Sequence, residues 1–239
     1  MRLRCSRAGA MLLRAMGSVA IVAKFFALAF SALLPVINPL GSALVLLGLV
    51  GNAPGPVFRN LARKIAIRTI LFLAVVELVG TAMLAFFGIS LPVVQVAGGL
   101  VLATMGWSLL NQQDPGPGRG QTEVEEAGYG SLEQKVFYPL TFPVTAGPGC
   151  IVVMLTLSAH ASAKGTFSDV MAHLGIFLAV VALSVIVFVS YAYAPKITER
   201  ISPQTAHGVL RVIAFVLLCI GVQITWNGVE ALMKTVLKA

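Results

Sequence analysis

Long apolar stretches separated by short polar ones set the pattern of this chain. Crossing a bilayer takes roughly 20 apolar residues, and six stretches meet that length: about 25–50, 69–87, 93–110, 137–158, 170–194, and from 207 or 209 to about 229. The pattern predicts an all-α, polytopic membrane protein of six transmembrane helices. Two stretches are interrupted. Pro35-Val36-Ile37-Asn38-Pro39-Leu40-Gly41 lies inside the first, and Pro143-Val144-Thr145-Ala146-Gly147-Pro148-Gly149 inside the fourth. Each proline removes a backbone donor and crowds the carbonyl four residues back, so two prolines this close are expected to open a helix rather than bend it.

The two interruptions match one another. Shifting residues 33–49 onto 141–157, a displacement of 108, gives six identities in 17 positions: Pro35, Val36, Gly41, Val45, Leu47 and Leu49 fall on Pro143, Val144, Gly149, Val153, Leu155 and Leu157. The Val and Leu matches are unremarkable among apolar helices, whereas the Pro and Gly matches point to a duplication. Repeat 1 then covers about 25–110 and repeat 2 about 137–230 of a single transmembrane domain, 1–239, joined by a flexible, acidic linker at 111–134 that carries Glu123, Glu125, Glu126 and Glu133. A three-span unit used twice enters the membrane from opposite sides, so the repeats are expected to be inverted, with helices 1 and 4 broken. Broken spans in corresponding halves are the sequence sign of a transporter site.

Composition supports the membrane reading: 58% of residues are hydrophobic, 11% are charged, and mean hydropathy is +0.92. The net charge of +8 and pI near 9.8 would raise nucleic-acid binding in a soluble chain. Here most Lys and Arg lie in loops and tails, where they orient the protein, and no nucleic-acid partner is expected. An outside N-terminus puts nine basic residues inside and eight outside; without Arg2, Arg4, Arg7, Arg14 and Lys24 the count is nine against three, so both termini are expected outside. Residues 1–20 read as a basic N-terminal tail ahead of a retained span rather than a signal peptide, and Met11 or Met16 is an alternative start. Cys5, Cys150 and Cys219 share no CxxC or Cys/His spacing, so neither disulfide, metal nor cofactor is expected.

The interruptions also carry the candidate chemistry. Half-helices starting after Gly41 and Gly149 would present unpaired N–H groups and positive dipole ends to an anion such as a carboxylate. Freed carbonyls of residues 34–37 and 142–145, with Asn38, Thr141 and Thr145, would accept hydrogen bonds from an ammonium, so a small zwitterion fits. Glu77, the one charge in the second stretch, is a candidate proton carrier, a partner for a substrate amine, or a structural acid. Arg211, Trp107, Trp226, His160, His173 and His207 lie near span ends and read as interfacial. Ser42 follows the first break, but no histidine lies in a central span to activate it, and the chain is not expected to be an enzyme.

Three motifs, Ile37-Asn38-Pro39-Leu40-Gly41, Phe87-Gly88-Ile89-Ser90-Leu91-Pro92 with Gln95-Val96-Ala97-Gly98-Gly99, and Thr141-Phe142-Pro143-Val144-Thr145-Ala146-Gly147-Pro148-Gly149, resemble the MarC family of bacterial inner-membrane proteins in sequence and order. The resemblance extends over nearly all of 25–230. It implies a six-span relative of the LysE-like transporter superfamily that moves small neutral amino acids such as glycine and alanine, linked to protons. By motif match it places Asn38, Pro39, Gly41, Thr145, Gly147, Pro148 and Gly149 in the binding region. The basic N-terminal extension and the long acidic linker depart from the family pattern. Two other readings stay open: an exporter of another small metabolite or toxic compound, and a non-transporting scaffold that recruits a partner through 111–134. The oligomeric state is not legible.

Overall fold

The structure is a computed structural model that describes residues 2–51, 53–111, 136–162, 166–196 and 203–237, with side chains described from residue 16 onward. The expected linker at 111–134 lies outside the described residues, apart from Asn111. Among the described residues the chain is helical: α1 Arg2–Ile37, α2 Pro39–Val50, α3 Gly55–Phe86, α4 Leu91–Asn111, α5 Val136–Thr145, α6 Pro148–Ala161, α7 Thr166–Ala192 and α8 Pro203–Val236. Five stretches are long and apolar enough to cross a membrane, with α1 and α2 counted as one from Met16, and α5 with α6 makes a sixth.

Several helices outrun the apolar stretches that announced them. The backbone of α1 is helical through the basic stretch expected as a tail, and α3 starts at Gly55 rather than near 69. In α3 the cause is visible: Phe58, Leu61, Ala62, Ile65, Ala66, Thr69, Leu73 and Glu77 are buried at helical spacing, while Arg59, Arg63, Lys64 and Arg68 occupy other positions of the same turns. Charge on one face does not end a helix whose other face is packed.

The core gathers on α7, which packs against α1, α2, α3 and α6. Its residues Ala172, Ile176, Ala179, Val180, Leu183, Val187 and Tyr191 are buried, spaced three or four apart as one helical stripe demands. Gly175 lets α1 approach to backbone contact, since a side chain there would come within 2.5 Å of Val22 O. The outer surface is strongly apolar: Phe86, Leu78, Val212 and Trp107 are exposed. Lipid is the solvent that suits such a surface.

A second contact, α4 against α8, is made through glycines. A β-carbon on Gly99 would lie 2.5 Å from Thr225 N, one on Gly106 2.6 Å from Leu218 N, and one on Gly228 2.6 Å from Pro92 O, while Gly221 faces the backbone of Ala103. Small residues at these spacings bring helix backbones together where no hydrophobic force distinguishes helix from lipid. The pair forms a wall for the site, because Gly98 and Leu102 on the same α4 touch Val152 and Gly149 of α6.

Candidate functional site

The first break is one residue wide. Pro35 stays inside α1, and the helix stops at Asn38, whose φ of 46° and ψ of 66° are left-handed. Pro39 disfavours the right-handed helical region at the residue before it, and Asn is among the few side chains that tolerate the left-handed one. Asn38 N–H still donates to Leu34 O at 3.0 Å, and Ser42 N–H to Asn38 O at 2.9 Å. The half-helix therefore starts at Pro39, before Gly41, and not after it as expected. Its first turn is also already engaged, because Gly41 N–H donates to Asn38 Oδ1 at 3.1 Å.

Of the four carbonyls expected to be free here, Leu34 O is taken by Asn38 N–H, and Ile37 O lies 3.3 Å from the Ser42 hydroxyl, whose shorter acceptor is Asn38 O at 2.8 Å. The break is mainly self-satisfied. Replacing Asn38 by Ala should remove the cap and leave a methyl in the left-handed region, costing about 1–2 kcal/mol, whereas Asn38→Gly should cost only a few tenths of a kcal/mol, roughly what glycine costs at such a cap. Thermal unfolding of the two variants in one detergent checks that order.

The second break is wider and starts earlier. Pro139, which the matched clusters left out, joins Pro143 in forcing the residues before them into extended conformations: Tyr138 has φ −118° and ψ 124°, Phe142 φ −122° and ψ 127°. Both X–Pro bonds are cis. In α5, hydrogen bonds reach five residues back: Ala146 N–H donates to Thr141 O at 2.8 Å, Thr141 Oγ1 to Val136 O and Thr145 Oγ1 to Leu140 O, each at 2.7 Å. The axis then turns by 64° into α6, the only bend above 40° among the described spans. α6 begins at Pro148, before Gly149 rather than after it as expected, with Gly147 as a cap that offers no side-chain acceptor. Cys150 N–H reaches Gly147 O at 3.0 Å. The Gly149 N–H thus lies in a helix first turn that no side chain caps.

The structure brings the two breaks together. Gly149 packs against Val36, whose Cγ1 would lie 3.0 Å from an added β-carbon, and against Leu102 near the middle of α4. The Thr145 hydroxyl sits 2.7 Å from Tyr191 OH, and the same tyrosine hydroxyl faces Ser42 at the start of α2. One fully buried phenol of α7 therefore joins the two half-helix junctions. Both junctions also use one device. Ser42 Oγ points back at Ile37 O, 3.3 Å away, beside its shorter bond to Asn38 O, and Cys150 Sγ points back at Thr145 O, 4.0 Å away. Each runs five residues back, and the two pairs are related by the 108-residue displacement.

Neither Tyr191 nor Ser42 was among the expected site residues. In the sequence Ser42 stands out only as a possible nucleophile, and nothing in the local pattern marks Tyr191, which lies near a span end. The burial period of α7 includes Tyr191 and was the available signal. Its neighbour Tyr193 does face outward, with the Arg59 guanidinium 5.8 Å from its ring centre.

Glu77 is placed elsewhere. It is 4% exposed, and its Oε1 lies 3.1 Å from Nδ1 of His173 on α7. The other ring nitrogen of His173 is 3.2 Å from the hydroxyl of Ser162, the residue that ends α6. Ser158 Oγ donates to the Glu77 main-chain carbonyl at 3.0 Å. Ser158 and Gly149 are nine positions apart on α6, about 13 Å at ~1.5 Å per residue, so Glu77 lies at the far end of α6 from the broken helices. His173, expected to be interfacial, is its neighbour across α3 and α7.

The description "MarC family integral membrane protein" matches residues 23–233. The "UPF0056 inner membrane protein MarC" of Escherichia coli O157:H7 is 28% identical over 217 residues, covering 89% of this chain and 97% of the relative. The proteins of the same name from Escherichia coli O1:K1 / APEC and from strain K12 / DH10B are 28% identical over the same length, with the same coverage. No solved structure matches the chain with significance.

Proposed function

The chain belongs to the MarC family of integral membrane proteins, and from that premise we propose that it is an inner-membrane secondary transporter of small neutral amino acids such as glycine and alanine, coupled to protons and not an enzyme. The observation that carries the reading is the meeting of two interrupted helices, one from each half of the chain, at Val36 and Gly149, with Tyr191 set between Thr145 at the end of α5 and Ser42 in the first turn of α2. Irregular backbone at membrane depth is tolerated only where protein or a water-filled cavity surrounds it.

The two halves, about 25–110 and 137–230, are inverted three-helix repeats in this reading, with both termini periplasmic. Their relative movement uncovers the junction alternately on each side. The uncapped first turn of α6, with Gly149 N–H and the positive end of the helix dipole, receives the substrate carboxylate. Asn38 Oδ1 and the hydroxyls of Thr145, Ser42 and Tyr191 supply acceptors for the ammonium once the junction opens. Thr141, whose hydroxyl is turned back onto Val136 O, shapes α5 beneath the site. Pro39, Gly147 and Pro148 set the backbone of the two turns.

The test is uptake by the purified full chain in liposomes. Labelled glycine or alanine should accumulate several-fold above protein-free vesicles when a pH gradient is imposed, and a protonophore should abolish the excess. Absence of accumulation of labelled glycine, alanine and serine under either polarity of the gradient would overturn the assignment. An exporter of a different small metabolite would appear instead in a competition panel on the same vesicles.

A further inference from the structure

At the end of the molecule where α6 gives way to α7, a buried carboxylate of one half of the chain meets an imidazole of the other. Glu77 belongs to α3; His173 belongs to α7, and Ser158 and Ser162 belong to α6 and its cap. We propose that Glu77 and His173 form a proton-operated latch that closes this face of the protein when the pair holds one proton and releases it when the pair holds none. The proposal rests on the transporter reading for its purpose, since it names the group through which protons act on the moving halves. Its geometry stands without it.

The connectivity suits proton entry. The His173 side chain is 27% exposed while that of Glu77 is 3% exposed, so protons reach the carboxylate through the ring. Water at the surface protonates Nε2, with Ser162 Oγ 3.2 Å away to order it, and the Nδ1 proton passes to Glu77 Oε1. That leaves a neutral imidazole of the opposite tautomer and a neutral carboxylic acid. One proton has moved inward and no other bond has changed.

The energetic asymmetry sets the sign. With one proton the pair is neutral overall, as imidazolium and carboxylate or as imidazole and carboxylic acid, and it can be buried at modest cost. With none, a carboxylate is sealed away with only a neutral ring beside it, and an unpaired buried charge is strongly unfavourable. Hydration of Glu77 then favours parting α3 from α6 and α7. Acid therefore closes this end and alkali opens it, and the arrangement in the structure, with Glu77 buried, is the closed one.

Few other charges bear on the pair. On the elements packed against α3 and α7, the titratable groups at this end are His160 of α6, whose Nδ1 lies against Thr156 O; Asp169 of α7, one turn ahead of His173; and Lys24 of α1, exposed on the turn that packs at Gly175. On α3 itself the nearest other charge is Arg68, more than two turns away. α2 and α5 contain no acidic or basic residue. Among the described residues, His173 is the ion-pair partner of Glu77.

The latch is testable without substrate. Phe86 and Phe167, exposed at the adjoining ends of α3 and α7, are replaced by cysteine and spin-labelled in full-length protein whose Cys5 and Cys219 are serine. Inter-label distances are then measured in lipid nanodiscs from acid to alkaline pH. The distribution should move from a short separation in acid to a longer one in alkali. Glu77→Gln, which mimics the protonated acid, should stay short throughout. His173→Gln should keep the transition but move it to lower pH, because the imidazole no longer offers the last proton of the pair a second site beside the carboxylate. A wild-type separation that does not change with pH, a Glu77→Gln protein that responds as wild type does, or a His173→Gln transition at unchanged pH would each overturn the latch. A pH-dependent separation in a protein that moves no amino acid in liposomes would leave the latch standing and remove the transport assignment instead.

Discussion

Gly221→Val should lower the unfolding temperature of the purified protein by about 2–12 °C, the consequence of roughly 1–3 kcal/mol of overpacking in a chain of this size. The residue lies where α8 crosses α4, and a β-carbon there would run into the backbone of Ala103 and come within 2.7 Å of Gly99 O. Backbone cannot rotate aside as a side-chain end can, so the helices must separate. The glycines at 99, 106 and 228 make equivalent contacts, and the strain would spread along the whole seam. Gly98→Ala is the control: the nearest atoms to its new methyl would be those of the Val152 side chain rather than backbone, and its loss should be smaller. Differential scanning fluorimetry of both variants in one detergent separates them, and equal losses would mean that side-chain crowding on α6, not helix approach on α8, limits stability. The effect reaches the site because α4 also holds Leu102 against Gly149.

Much of this architecture is legible from hydropathy because lipid imposes a simple demand: every span must be apolar and must satisfy its own backbone. The stretches at 93–110 and 170–194 reappear as α4 and α7 with ends shifted by a few residues. Hydropathy fails at the ends of α3 and α1, where a charged face and a packed face share one helix. The interruption at 35–41 was readable as a break, but not its extent. Two prolines suggested an opened helix, yet Pro35 is absorbed and a single left-handed Asn38 makes the turn.

The site itself was legible only where sequence proximity equals spatial proximity. Thr145 and Gly149 were found because they belong to the matched cluster. Tyr191 and His173 were not, since each meets its partner from a distant position: Thr145 is 46 residues from Tyr191, and Glu77 is 96 from His173. Of the three roles open to Glu77 in the sequence, only partner to a substrate amine needs it beside the broken helices, and the structure puts it at the far end of α6, paired with His173.

The two breaks share a displacement of 108 residues but not a degree of order. In the first, Asn38 caps its own helix; at the equivalent position the second has Ala146, fully buried and without a side-chain acceptor. The uncapped junction is therefore the one with donors to offer. Asn38 keeps the other junction closed on itself, which leaves the second lone pair of its Oδ1 and the Ser42 oxygen free to accept. A zwitterion needs that division, with its carboxylate facing N–H groups and its ammonium facing oxygen.

The sharpest test of that junction is a cycle of Thr145→Val and Tyr191→Phe. Thr145 Oγ1 serves both Leu140 O and Tyr191 OH, each at 2.7 Å, while Tyr191 OH has Ser42 as a second neighbour. Thr145→Val strips a carbonyl in a proline-rich turn of its donor, and leaving a buried polar group unsatisfied costs about 1–3 kcal/mol. Tyr191→Phe leaves Thr145 bonded to Leu140 O and should cost less. The double variant should lose less than the sum, by about 0.5–1 kcal/mol, because the two side chains share one hydrogen bond. In liposomes both single variants should reduce amino-acid uptake at least tenfold. Thr145→Ser, which keeps the hydroxyl, should retain stability and most of the uptake. If Thr145→Val unfolds like wild type while Thr145→Ser does not, the methyl group is what matters and the hydroxyl bridge is incidental. If Tyr191→Phe transports at the wild-type rate, the phenol that joins the two breaks has no part in handling the substrate, and the centre of the site must lie nearer Gly149 and Asn38.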